Sequence, residues 1–141
     1  MIKLYPSTKI YLAQSTIPKA GLGVFSHTNI NKSDEIETAP VLVLPIKDYP
    51  KAKKTILRNY YFMWGTRTAA LCYGFGSFYN HSYQPNATYQ KNTQQKTITF
   101  TAIKKIPKNT EITINYNYGD PDSKKMLWIK AIQPTQDIPE S

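Results

Sequence analysis

The sequence predicts a mostly β fold, and three observations support this expectation. Short apolar or alternating segments recur along the 141 residues, and Pro, Gly and Asn separate them. Helical periodicity is weak, so repeated strand–helix–strand units are not expected. The chain is 40% hydrophobic and 13% aromatic, which is enough apolar material for one packed core. We therefore expect a single domain over residues 1–133, followed by a loose polar tail over 134–141.

Four segments carry the patterns of strands. Thr97 to Ile103 and Glu111 to Tyr116 alternate apolar and polar side chains, which is the period of a half-buried strand. Ile10 to Gln14 is a third candidate, and Val41 to Leu44 is a short apolar run closed by prolines. Ile106 to Asn109 contains Pro and Asn, so it is predicted to be a turn between the two alternating strands.

Two segments carry weak helical patterns. Asp48 lies near the start of the first, which extends to Tyr60 and contains several lysines. The second extends from Lys124 to Ile132. We therefore expect short helices beside the strands.

Charge and composition limit the classes of function. The net charge is +9 and the pI is near 9.6, which suits either an acidic partner such as nucleic acid or simple solubility. One cysteine and two histidines cannot build a cysteine-based zinc site, so we expect no bound transition metal. No apolar run approaches the roughly 18–20 residues of a membrane span, and the first residues do not resemble a signal peptide. The expected location is cytoplasmic or nuclear.

Three polar or glycine-containing motifs carry the chemical signals. Gly21-Leu22-Gly23 allows a ligand to approach the backbone closely, although by itself a plain turn explains it more simply. It lacks the third glycine and the helix of a dinucleotide site. Asn80-His81-Ser82 followed by Pro85-Asn86 contains side chains that satisfy buried backbone groups or a ligand. Tyr116 and Tyr118 are two residues apart, so they share one side of an extended chain. Either their hydroxyls converge on one point, or the two rings form an aromatic edge that packs on the core.

In this order and spacing, the three motifs resemble the SET-domain family of protein lysine methyltransferases. That family combines Gly-x-Gly, Asn-His-Ser-x-x-Pro-Asn and Glu-x-x-x-(Asp/Asn)-Tyr, and Tyr60-Tyr61-Phe62 is similar to its Tyr-x-Phe strand. The resemblance covers about residues 8 to 119 and is closest to compact viral or bacterial members without flanking zinc clusters. It implies a SET-domain (β-clip) fold of several small sheets, with short helices and a pseudoknot in which the Asn80 and Tyr116 segments pass each other.

The resemblance also implies a reaction and a set of site residues. The chain is expected to transfer a methyl group from S-adenosyl-L-methionine to a lysine of a histone or another basic protein. The catalytic residues would be Tyr116 and Tyr60, with Tyr61 in place of Tyr60 if the register is shifted by one. The lysine channel would be lined by Tyr118, Tyr89, Phe62 and Ile114. The cofactor would be held by Gly21, Leu22, Gly23, Asn80, His81 and Trp128. Trp128 is equally well explained as a core side chain.

The partners and the alternative function follow from the same features. A protein substrate, a nucleic acid on the basic surface and a second copy of the chain are the expected partners, and no membrane is expected. A nucleoid or a host nucleus would be the location in a bacterium or a virus. The alternative is a non-catalytic SET-fold module that binds nucleic acid or chromatin, because basic grooves with aromatic side chains hold single strands. Glu111, Asp120 and Asp122 are the acids expected to offset the basic charge near the site.

Overall fold

The computed structural model describes residues 2–117 and 120–124. The strands in this part of the chain are β1 (Ile10–Gln14), β2 (Leu22–Ser26), β3 (Glu35–Val43), β4 (Tyr61–Trp64), β5 (Thr68–Cys72), β6 (Asn80–His81), β7 (Ala87–Asn92), β8 (Thr97–Ala102) and β9 (Glu111–Ile114). One short helix, α1 (Tyr49–Ala52), and 3₁₀ turns over Ile46–Asp48, Ile56–Asn59 and Gly76–Phe78 connect them. The predicted mostly β fold with short helices is confirmed.

The strands form two sheets, and the candidate site lies where the chain crosses between them. One sheet has the order β1-β2-β9-β6, and the other has the order β4-β5-β3-β8-β7. β6 follows β5 and precedes β7 in sequence, yet it pairs with β9 of the other sheet. The chain therefore leaves the larger sheet to add one short strand to the smaller sheet and then returns. This crossing brings the Asn80 and Tyr116 segments together.

The predicted strands are present, and their positions follow from the alternation of apolar side chains. β1 has the predicted bounds, while β8 and β9 end slightly earlier than the alternating segments suggested. The apolar run from Val41 is the second half of a longer strand, β3. Ile98, Phe100, Ile112 and Ile114 are fully buried and form the centre of the core. Local periodicity therefore located β1, β8, β9 and the second half of β3, but not β2 and β7, which supply Val24, Ala87 and Tyr89 to the core.

The single helix expected from Asp48 to Tyr60 was wrong. The segment is instead divided into α1 and two 3₁₀ turns, and the break lies at Thr55, which has extended backbone angles. The Thr55 hydroxyl donates to the Ala52 carbonyl at 2.8 Å and accepts from the Leu57 N–H at 3.1 Å. Such local side-chain hydrogen bonds compete with helical ones. Apart from Lys124, the helix expected over 124–132 lies outside the described residues, as does the tail over 134–141.

Within residues 2–117 and 120–124, no helix is both long and apolar enough to cross a membrane.

Candidate active site

The site is organised by the parallel pairing of β6 with β9. The register places Asn80 opposite Thr113 and His81 opposite Ile114. The Asn86 side chain holds the same strand, because its oxygen accepts from the Thr113 N–H and its nitrogen donates to a β9 carbonyl, both at 2.9 Å. The motif that contains Asn80 and Asn86 therefore acts as a backbone-binding unit that fixes the strand leading to the last motif.

Tyr116 follows β9 and is held from two sides. Its backbone N–H donates to Nδ1 of His81 at 3.0 Å, and its hydroxyl donates to the carbonyl of Tyr79 at 2.7 Å. Burial raises the pKa of the Tyr116 phenol well above its usual range, and neighbouring Tyr60 raises it further. Burial also lowers the pKa of His81 to about 4. At neutral pH the site therefore contains a neutral phenol and a neutral imidazole, and neither is poised to act as a strong base.

An aromatic cavity of about 530 Å³ lies against Tyr116. Four of the predicted site residues line it, namely Tyr60, Phe62, Tyr89 and Tyr116. Phe62 packs edge-on against Tyr89 with 5.0 Å between ring centroids, so this wall is held by mutual packing. The cavity is large enough for a side chain to enter, and its walls are apolar except for hydroxyls and a few polar groups.

Both candidates for the second tyrosine line this cavity. Tyr60 lies just before β4 and packs against Phe78 with a centroid distance of 6.3 Å. Its hydroxyl is also close enough to raise the pKa of Tyr116. Tyr61 packs against Tyr49 instead, and burial together with Tyr49 raises its pKa to about 12. The interaction with Tyr116 favours Tyr60 over Tyr61 as the candidate for the second active-site tyrosine.

The Gly-x-Gly motif lies at the start of β2 and does not line the cavity. The Asn80 amide nitrogen donates to the carbonyl of Leu22 at 3.0 Å, which fixes the motif to β6. A Cβ on Gly23 would lie 2.4 Å from Oε2 of Glu111, so this position has no room for a side chain. Gly21 has φ of +77°, and no atom lies within 4 Å of where its Cβ would be. Gly23 therefore permits close packing, whereas Gly21 turns the chain beside open space.

Glu111 is a buried structural acid in this arrangement. Its carboxylate accepts from the Ser15 hydroxyl, from the N–H and hydroxyl of Thr16, and from the Asn80 amide, at 2.7–3.0 Å. These contacts join β9, β6 and the turn after β1. The Asn80 amide nitrogen is therefore engaged within the protein, so Asn80 contributes to the site chiefly by positioning its surroundings.

Sequence reasoning missed Glu37, whose side chain supports Tyr79. The Tyr79 hydroxyl donates to Oε1 of Glu37 at 2.9 Å, and the Phe75 N–H donates to Oε2 at 3.0 Å. Tyr79 is almost wholly buried and stacks on Phe100 at a centroid distance of 4.1 Å. Burial raises the pKa of the Glu37 carboxyl, and the two hydrogen bonds partly oppose this effect. Glu37 therefore fixes the residue whose carbonyl accepts the Tyr116 hydroxyl.

The pattern around Glu37 hid its burial. Strict alternation along β3 would place Glu35 and Glu37 on one face, with Ile36 on the other. The pairing of β3 with β8 shifts register between Glu35 and Glu37, so Ile36 and Glu37 are both buried. A bulge of this kind redirects side chains locally, and periodicity alone does not reveal it.

Two further side chains inside the last two motifs have structural partners. Asn115, at the Asp/Asn position of the last motif, is fully buried. Its amide nitrogen donates to the Ser123 carbonyl at 2.9 Å, while its oxygen accepts from the Asn117 N–H at 2.9 Å. An ionised carboxylate could make only the second of these bonds, because it has no donor. Tyr83 stands where many members have Cys, and its ring packs edge-on against His81 at 4.2 Å.

The remaining predicted site residues have three different outcomes. Ile114 was expected in the channel wall, but it lies in the core and does not line the cavity, because its side chain is on the inner face of β9. Leu22 is about half exposed between the two glycines. Tyr118 and Trp128 lie outside the described residues, so their roles stay predictions.

Comparison with known proteins agrees with this geometry. The sequence model described as the SET domain matches residues 21–117, which include all three motifs. The chain belongs to the SET-domain family. This SET domain is 30% identical over 99 residues to a Schizosaccharomyces pombe (strain 972 / ATCC 24843) protein named histone-lysine N-methyltransferase, H3 lysine-37 specific. The match covers 70% of this chain and 67% of that protein.

Solved structures place this SET domain among similar folds. A Plasmodium falciparum protein provisionally assigned as a histone methyltransferase is 32% identical and superposes with a TM-score of 0.63. That match covers 78% of this chain and 94% of the other. Chaetomium thermophilum Polycomb Repressive Complex 2, in an autoinhibited conformation bound to S-adenosylmethionine, superposes with a TM-score of 0.68 at 17% identity. That match covers 82% of this chain but only 16% of the other, and at 17% identity it shows the fold alone. Together, family and relatives identify the enzyme class as protein-lysine N-methyltransferase.

Proposed function

We propose that this SET domain transfers a methyl group from S-adenosylmethionine to the side-chain amine of a lysine in another protein, beside Tyr116. The observation that carries the proposal is the β6–β9 pairing, which holds Tyr116 against an aromatic cavity. A histone is the first substrate to test, because the named fission-yeast relative acts on lysine 37 of histone H3. On the same ground we expect a nuclear or other intracellular location.

The residues around the Gly-x-Gly motif are suitable for this cofactor. Open space lies beside Gly21, Leu22 is half exposed, and β6 is attached directly behind them by the Asn80 amide. When bound, S-adenosylmethionine supplies a methyl group on a positively charged sulfonium. Backbone and phenol oxygens suit such a group, because they offer lone pairs without requiring a buried negative charge.

Tyr116 is suited to position the reacting groups and not to remove a proton. Its own proton is directed to the Tyr79 carbonyl, so its oxygen keeps lone pairs for weak contacts with a cationic methyl or an amine. His81 is neutral, and its Nδ1 is already accepting from the Tyr116 N–H. We therefore assign His81 to the placement of Tyr116.

The aromatic cavity prepares the substrate amine. A lysine amine has a pKa near 10.4 in water, so it is charged and not nucleophilic at neutral pH. The walls formed by Tyr60, Phe62 and Tyr89 replace water around that amine and disfavour its charged form. Confinement also aligns the amine with the methyl group. Such alignment removes a large part of the activation barrier in well-oriented reactions.

The proposal is tested by cofactor binding and methyl transfer with the whole chain. Titration calorimetry with S-adenosylmethionine should give binding, and radiolabelled methyl should pass to lysines of histones or of a cell lysate. Absence of cofactor binding, together with salt-sensitive binding to DNA, would support the non-catalytic alternative instead. The predicted nucleic-acid contact and the predicted homodimer stay predictions, which the same DNA titration and a sedimentation measurement would address.

A further inference from the structure

The mouth of the aromatic cavity carries two positive charges. Lys53 and Arg58 line the cavity together with Tyr60 and Tyr116, and both cations are exposed. They belong to residues 46–59, which contain five basic side chains and one acidic one, for a net charge of +4. The cavity wall formed by the described residues contains no Asp or Glu. A substrate lysine must therefore approach through a positively charged entrance.

These charges are not neutralised by the part of the chain that the structure describes. Within it, Lys53 and Arg58 form no ion pair, and Lys53 Nζ lies 5.5 Å above the Tyr49 ring, which also lines the cavity. A cation–π contact keeps that charge at the wall without cancelling it. Within residues 2–117 and 120–124, both charges are therefore exposed at the cavity wall and are not compensated by a carboxylate.

The acids expected to offset this charge do not line the cavity. The Glu111 carboxylate is buried and accepts from hydroxyl, backbone and amide groups, although its charge, in addition to burial, raises the pKa of the Tyr116 phenol. Asp120 and Asp122 are exposed and do not line the cavity. The expectation that these acids make the substrate groove locally acidic stays a prediction, and none of them lies beside Lys53 or Arg58 in the cavity wall.

We propose that Lys53 and Arg58 select a target lysine that is flanked by acidic residues in its protein. This inference rests on the proposed lysine methyltransferase activity and deepens it by naming the class of substrate segment. Lys53 and Arg58 form the rim of the cavity, so an acidic neighbour on the substrate would pair with the rim, whereas a strongly basic segment would be repelled by it. Among histone lysines, those without strongly basic neighbours should therefore be favoured. The cavity itself accepts the lysine side chain, and the rim contacts the substrate residues that flank this lysine.

The expected preference is modest and sensitive to salt. Each exposed ion pair typically strengthens binding by a factor of roughly 1.4 to 5. Two such pairs should therefore raise kcat/KM about 2- to 30-fold for a substrate with acidic neighbours. Exposed charges are screened over about 10 Å at 0.1 M salt, so the preference should shrink as the ionic strength rises.

The test uses the full chain and peptides with one central lysine whose neighbours are acidic, neutral or basic. Radiolabelled methyl transfer is measured at about 25 and 200 mM NaCl. The wild-type chain should favour acidic neighbours by the factor above, mainly through KM. The double variant Lys53→Gln/Arg58→Gln should lose this preference. The control Lys104→Gln/Lys105→Gln removes the same charge from exposed positions that do not line the cavity, and it should keep the preference.

The other outcomes separate this inference from the proposed function. Methyl transfer with no preference, or with a preference for basic neighbours, would overturn the rim proposal and leave the enzyme intact. Weaker binding of S-adenosylmethionine in the double variant, with the acidic preference kept, would assign the cations to the cofactor carboxylate. Loss of DNA binding with the preference kept would assign them to nucleic acid. Absence of transfer to every peptide and to lysate proteins would overturn the proposed function, and with it the rim proposal.

Discussion

Replacing Tyr116 by Phe removes one oxygen atom and two separate contributions. The first is the 2.7 Å hydrogen bond from its hydroxyl to the Tyr79 carbonyl. The second is the oxygen that the proposed function places beside the methyl group and the amine. Because the ring remains, the packing of Tyr116 against His81, with 5.3 Å between centroids, should survive. The variant therefore separates chemistry from folding.

The two contributions have different magnitudes. A hydrogen bond of this kind contributes about 0.5–1.5 kcal/mol to the free energy of unfolding, so Tm should fall by only a few degrees. Loss of one positioned group at a reacting centre costs roughly 10²–10³ in rate, or about 2.7–4 kcal/mol of transition-state stabilisation. The fall in activity should therefore far exceed what the loss of stability explains.

The assay is single-turnover transfer of radiolabelled methyl at saturating S-adenosylmethionine, with calorimetry to show that the cofactor still binds. Tyr11→Phe is the matched control, because its hydroxyl donates to Asn109 at 3.1 Å and does not line the cavity. The control should keep its rate. An unchanged rate in Tyr116→Phe would refute the role assigned to the Tyr116 oxygen.

Three further predictions concern the supporting residues. His81 is buried and its pKa is lowered from 6.5 to about 4, so its neutral form contributes stability that is present above pH 6.5 and is lost as pH falls toward 4. In urea unfolding, this loss of about 3 kcal/mol in the free energy of unfolding should disappear in His81→Asn. The same loss in the variant would contradict the assignment. Asn115→Asp replaces the donor to the Ser123 carbonyl by an acceptor and should lower the free energy of unfolding by about 1–3 kcal/mol; equal stability would mean that this bond is dispensable. In Glu37→Gln only one of the two terminal atoms can accept, so the Tyr79 hydroxyl or the Phe75 N–H loses its partner. We expect about a tenfold lower kcat, which corresponds to about 1.4 kcal/mol lost in the placement of Tyr79, with KM and cofactor affinity unchanged. A lower Tm with a normal kcat would restrict Glu37 to folding.

The limits of prediction from sequence are clearest in three places. The helix expected from Asp48 to Tyr60 was wrong because Thr55 satisfies its neighbours through its own hydroxyl. Ile114 was expected in the channel wall as an apolar side chain of the last motif, yet the structure places it in the core, where it does not line the cavity. Glu37 was missed because a bulge turned it inward. For Ile114 and Glu37, the deciding contacts join strands that are far apart in the chain, and the local pattern does not specify how those strands meet. For Thr55 the hydrogen bonds are local, and the helical pattern does not show that they replace the helical ones.

The sequence by itself determined the class of fold, the strands β1, β8 and β9, and the family, because these depend on local alternation and on motif spacing. It also indicated Tyr60, Phe62, Tyr89 and Tyr116, which the structure brings to one cavity. Only the tertiary structure decided that β6 pairs with β9, that Glu111 and Glu37 are internal supports, and that the cavity mouth is positively charged. The pairing of β6 and the burial of the two glutamates depend on strand register and on hydrogen bonds between residues far apart in the chain. The charge at the mouth depends on which exposed segment borders the cavity, which the tertiary fold decides.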